Sequence, residues 1–193
     1  MAIVVLHDIF ECDRQQMPIT VDTLIPEQAR QYRDLMLEAY AQAPDAFTST
    51  TEERAAEPES WWVKRIADSS GLSVVFGAFV DRNLVGTVAL EFSAKPKTRH
   101  KAHLMGMYVA PAARGTGAGT QLVQAAIEFA RARAGTTVIT LTVTEGNETA
   151  IGLYCGAGFV AFGTEPMAIL AQSGYKAKVH MWLRLQGVDA AVG

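Results

Sequence analysis

The sequence is short of cysteine, of excess charge and of long apolar runs. Its two cysteines, Cys12 and Cys155, are too few for a disulfide scaffold and suit a reducing cytoplasm. Lys+Arg is 17 and Asp+Glu is 20, a net charge of −3, which leaves no basic field for nucleic acid. No apolar run approaches the roughly 20 residues that a membrane span needs. The start, MAIVVLHDIFECDRQQ, has early acids instead of a basic n-region, so no secretory leader is expected. Charged residues are only 19% against 49% hydrophobic, which excludes disorder. A chain of 193 residues is long enough for one domain with its own core.

Periodicity then assigns elements. Residues 17–24 alternate as a first strand. Pro26 opens a helix in which Ala29, Tyr32, Leu35, Met36, Ala39 and Tyr40 recur at helical spacing. Residues 43–53 read as a loop and 58–68 as a short helix with Trp61, Trp62 and Ile66. Residues 72–80 and 84–92 form a hairpin around Asp81, Arg82 and Asn83. A strand at 103–109, a helix at 119–134 and a strand at 137–143 follow. A crossover of that length makes its two strands parallel, while the short earlier turns make antiparallel pairs. Asn147 caps a helix over 147–157, with Gly158 near its stop. Strands at 159–164 and 178–185 close the domain. Residues 1–16 are an extension, 17–186 a single domain and 187–193 a tail.

The stretch 109–120, VAPAARGTGAGT, carries the chemistry. A strand ends, a glycine-rich turn follows and a helix begins. Helix N-terminal N–H groups lack intrahelical partners and favour an anion, and glycines let a phosphate reach the backbone. A dinucleotide fingerprint fails because Thr120 stands where a third glycine is required. A P-loop fails because no lysine lies between Lys101 and Lys176.

Arg114, Gly117 and Gly119 match [Q/R]-x-x-G-x-[G/A], and the segment resembles the pyrophosphate motif of the GNAT superfamily of N-acyltransferases. A second match, through Leu141, Val143, Asn147, Ala150, Leu153, Tyr154, Gly158 and Phe159, resembles that family's downstream motif. The resemblance implies an α/β (α+β) fold. Its central sheet would be mixed, mostly antiparallel, of about seven strands, with a V-shaped split and about four flanking helices. It implies acetyl-CoA as co-substrate and no metal. Main-chain groups of Met107, Tyr108 and Val109 would meet the pantetheine arm. Those of Arg114, Gly115, Thr116, Gly117, Ala118 and Gly119 would hold the pyrophosphate, and Asn147 matches the position that often meets the arm.

The activity so implied is transfer of an acetyl group to a primary amine of a small molecule or protein by direct attack. The alternative is a non-catalytic acyl-CoA-binding sensor on the same fold. Tyr154 occupies the family's general-acid position. His103 stands where some members place a basic glutamate, Glu91 is a second candidate base, and Thr142 stands where other members carry a glutamate. Neither a membrane nor a nucleic acid is an expected partner. Residues 165–175 are expected as a loop over the acceptor side or against a second copy in a homodimer, on the strength of Met167, Ile169 and Leu170.

Overall fold

The computed structural model describes residues 18–171 and 173–185. The expected extension 1–16 and tail 187–193, with Cys12, lie outside the described residues.

Seven strands form one sheet in the order β1-β2-β3-β4-β5-β7-β6. β1 (Thr20–Thr23), β2 (Ser73–Val80), β3 (Asn83–Phe92) and β4 (Lys101–Val109) are successive antiparallel neighbours. The β2–β3 hairpin turns on Asp81 and Arg82, both at positive φ, as a two-residue turn matched to strand twist requires. β5 (Val138–Thr144) is parallel to β4 and antiparallel to β7 (Gly174–Arg184), which pairs with the edge strand β6 (Val160–Ala171).

Helices cover both faces. α1 (Ala29–Gln42) and α3 (Glu59–Ile66) close one face, and α1 buries the expected Tyr32, Leu35, Met36, Ala39 and Tyr40. α4 (Ala118–Ala132) and α5 (Glu148–Gly156) close the other. On α4, Leu122, Val123, Ala126, Ile127 and Ala130 are buried as their spacing predicts. Phe129 departs from that set. It stays 38% exposed and lays its ring against Phe76 and Phe92.

Two sequence expectations need correction. The expected loop 43–53 contains a further helix, α2 (Thr51–Ala55), making five among the described residues instead of about four. Its start is a capping box. The Glu53 N–H donates to Thr50 Oγ1 at 3.2 Å and the Thr50 N–H to Glu53 Oε2 at 2.9 Å. Residues 165–175 are not a loop but the ends of β6 and β7. Pro166 interrupts the strand pattern, yet β6 absorbs it in an irregular stretch between Glu165 and Ile169, with Met167 at φ 55°. An edge strand tolerates a missing N–H there. Val160, Phe162, Met167, Leu170, Tyr175 and Trp182 are the large apolar residues that this hairpin leaves exposed.

Two features of β4 position the site. Its parallel pairing with β5 covers Lys101↔Val138, Ala102↔Ile139 and His103↔Thr140, and no further. β4 runs on to Val109 beside β3, and β5 runs on to Thr144 beside β7, so the sheet opens into a V. β4 also carries one extra residue, since Thr87 pairs with Tyr108 but Ala89 with Met105. Gly106 takes up this bulge at φ 61°. The insertion reverses the alternation. Ala102 and Leu104 face the α4 side, and beyond the bulge so do Met107 and Val109, while Tyr108 joins the α1 side.

Candidate active site

The glycine-rich connection leaves β4 through a 3-10 turn, Pro111–Ala113, and enters α4 at Ala118. Gly115 and Gly117 sit at φ 76° and 89°, in the left-handed region that favours glycine. Gly117 is the N-cap residue and supplies no side chain to the first turn. The N–H groups of residues 115–120 make no backbone hydrogen bond of good geometry among the described residues, so they are free for an anion. Two side chains brace the turn: the Thr116 hydroxyl donates to the Ala113 carbonyl at 2.6 Å, and Arg114 Nε donates to the Val109 carbonyl at 3.1 Å. The Arg114 guanidinium carbon lies 5.8 Å from the centre of the Tyr108 ring.

This turn forms one wall of a cleft of about 710 Å³, within the range of small-molecule sites. Met107, Tyr108, Val109, Arg114, Gly115, Gly117, Ala118, Gly119 and Asn147, all singled out from the sequence, line it. Thr116 does not, being turned into the bracing contact. Asn147 is committed in part, since its Oδ1 accepts from the Ala150 N–H at 3.2 Å and caps α5. Gln42 at the end of α1 and Ala43, Ala46 and Phe47 beyond it also line the cleft. Sequence reasoning missed Glu38; its carboxylate accepts from the Tyr108 hydroxyl at 3.0 Å, across 70 residues of sequence with no local signal.

The three expected catalytic residues are not among the residues that line this cleft. Tyr154 is 5% exposed and packs edge-on to Phe159 at 5.8 Å. Burial pushes its phenol well above the ordinary value, so it stays a proton donor. His103 and Glu91 are direct cross-strand partners, next to the closed end of the V. Burial holds His103 below its ordinary value against the opposing pull of Glu91, and His180 and Lys178 add to the lowering. His180, on β7 opposite Thr142, lies within 3.1 Å of Glu165 through its Nε2. The alternation Lys176, Lys178, His180 in the sequence was the signal for this polar face.

The family model for the acetyltransferase (GNAT) family matches residues 31–159, so the chain belongs to the GNAT acetyltransferases and is an acyltransferase by class. No curated protein matches the chain. Among solved structures, a GNAT-family acetyltransferase from Streptococcus pneumoniae is similar at 21% identity and TM-score 0.74, over 87% of this chain and 99% of that one. The Salmonella typhimurium protein yncA, with its cofactor acetyl-CoA, is similar at 20% identity and TM-score 0.74, over 90% and 97%. A spermidine N-acetyltransferase from Vibrio cholerae, in complex with CoA and spermine, is similar at 19% identity and TM-score 0.70, over 86% and 95%. These likenesses establish the fold. No described helix is long and apolar enough to cross a membrane.

Proposed function

We propose that this chain transfers the acetyl group of acetyl-CoA to a primary amine of a small molecule or protein. The observation that carries the reading is the run of free N–H groups over residues 115–120, opening on the cleft beside the unpaired edge of β4. Glycines at positions 115 and 117 suit a diphosphate close to the backbone. Past His103 the β4 edge has no β5 partner, so main-chain groups of Met107 to Val109 are available to an extended pantetheine arm.

The bound co-substrate supplies an activated acyl carbonyl. The chain's own groups manage the protons. A primary ammonium is a poor nucleophile until it loses a proton, and His103, kept neutral by burial, accepts one with Glu91 opposite it. The phenol of Tyr154 donates to the departing sulfur, a contribution of about 10²–10⁴-fold for a positioned acid. The exposed thiol of Cys155 fits a cytoplasmic enzyme.

The test joins binding to turnover. At 100 times its Kd, acetyl-CoA should stabilise the fold by about 2.7 kcal/mol, and NADH and ATP by far less. Thiol release should then appear with at least one amine from a panel of amino acids, polyamines, aminoglycosides and peptide N-termini. Equal stabilisation by all three nucleotides would sink the reading. Binding without thiol release across the panel would favour an acyl-CoA sensor.

A further inference from the structure

His103 and Thr140 are the last registered pair of the β4–β5 ladder, and their side chains meet: His103 Nδ1 is 3.2 Å from Thr140 Oγ1. The same hydroxyl lies 3.3 Å from the Ala102 carbonyl and donates to it. A carbonyl can only accept, and a hydroxyl has one proton. With that proton given to Ala102, Thr140 Oγ1 faces His103 as an acceptor, and the imidazole must present Nδ1–H to it. In a neutral imidazole the other nitrogen then holds the lone pair.

We propose that Thr140 fixes the tautomer of His103, placing the ring proton on Nδ1 and making Nε2 the atom that accepts a proton from the acceptor amine. The tautomer assignment stands on the hydrogen bonds alone; its catalytic use rests on the reading of His103 as base. The charged and titratable groups around the ring are Glu91 on β3 and Lys178 and His180 on β7, with Arg65 of α3 beyond Glu91. Glu91 favours a protonated ring, whereas burial and the two β7 groups favour a neutral one. A neutral ring has a choice of tautomers. Without Thr140 nothing on β5 would hold the proton on Nδ1, and rings carrying it on Nε2 could not accept there.

The experiment is long-range ¹H–¹⁵N spectroscopy of the labelled full chain, above the ordinary imidazole pKa of about 6.5. The His103 signals are those lost in His103→Asn. The parent should show Nδ1–H, Thr140→Val should move population to Nε2–H, and Thr140→Ser should restore the parent pattern. A parent ring protonated on Nε2, or a Thr140→Val ring still on Nδ1, overturns the proposal. With an acceptor in hand, kcat of Thr140→Val should fall about tenfold, part of the roughly 10²–10⁴-fold a positioned base supplies. KM for acetyl-CoA should not change, and Thr140→Ser should recover turnover. If the spectra follow the expected pattern while neither Thr140→Val nor His103→Asn alters kcat, the catalytic half falls with the base reading, and the tautomer assignment stands.

Discussion

Thr144, the last residue of β5, donates its hydroxyl to the backbone carbonyl of Asp45 at 2.6 Å, while the Asp45 carboxylate meets Lys176 Nζ at 2.5 Å. The two contacts strap residues 43–47 across the open end of the V, where Ala43, Ala46 and Phe47 line the cleft. Thr144 is only 4% exposed, so its hydrogen bond is shielded from water. Thr144→Val keeps the shape and removes the O–H. Stability should fall by about 0.5–1.5 kcal/mol, the usual net worth of such a bond. Acetyl-CoA affinity should drop severalfold as the wall loosens. Urea unfolding and titration calorimetry read the two effects separately. An unchanged affinity beside the stability loss would show that the strap does not shape the cleft.

Gly119 offers the cleaner test of the phosphate cradle. A Cβ there would sit 3.4 Å from both Leu153 Cδ2 and Met107 Cε, in ordinary contact, and its backbone is not left-handed. Gly119→Ala should therefore fold, narrow the cleft between Met107 and Leu153, and weaken acetyl-CoA binding by tenfold or more. Gly117 differs because its φ is 89°. Gly117→Val strains the backbone by about 1–2 kcal/mol before any ligand is considered, so loss of binding there mixes two causes. Calorimetry on folded Gly119→Ala decides the matter, and parent-like affinity would remove this turn from the binding site.

Most of the sheet could be read from the sequence because its strands are apolar and its turns are marked. The parallel β4–β5 pair followed from crossover length, and the turn that opens α4 was marked by the glycines of residues 109–120. What escaped was non-local. The bulge at Gly106 reverses the faces of β4 without changing its strand pattern. The capping box of Thr50 and Glu53 was present in the sequence but lay within a polar stretch. Pro166 read as a loop because an edge strand can hold a proline that a central strand cannot. The Glu38–Tyr108 and Thr144–Asp45 contacts join residues 70 and 99 apart, which no local pattern encodes. Most of the residues given main-chain roles by the family resemblance line the cleft. The placement of Tyr154, His103 and Glu91 outside the cleft lining depended on packing.

The half-buried imidazole of His103 should be visible in acid. Burial holds its folded pKa below 6.5, so between the two values the unfolded chain binds more protons than the folded one. Stability from this group is complete above about 6.5 and is lost as pH falls through the folded value. Thermal unfolding of the parent should weaken across that window, and His103→Asn should flatten the decline. The acid limb of kcat/KM should likewise lie below the ordinary histidine value. Parallel stability profiles for parent and variant would mean that His103 titrates normally in the fold.

Tyr154→Phe isolates the proton donor. The ring packs against Phe159, and its hydroxyl makes no hydrogen bond among the described residues, so the change keeps the packing and removes only the O–H. Stability should move by less than about 0.5 kcal/mol, as for substitutions that break no named interaction. If the phenol protonates the departing thiolate, kcat should fall by about 10²-fold or more, with acetyl-CoA affinity unchanged. That split marks an interaction made in the transition state and absent from the ground state. The loss should persist to high pH in the parent comparison, because burial keeps the phenol protonated far above its ordinary range. The measurement is a pH–rate series with chemistry shown to be rate-limiting by single-turnover kinetics. Full turnover by Tyr154→Phe under those conditions would make Tyr154 a packing residue between α5 and the sheet, and would assign the proton to water.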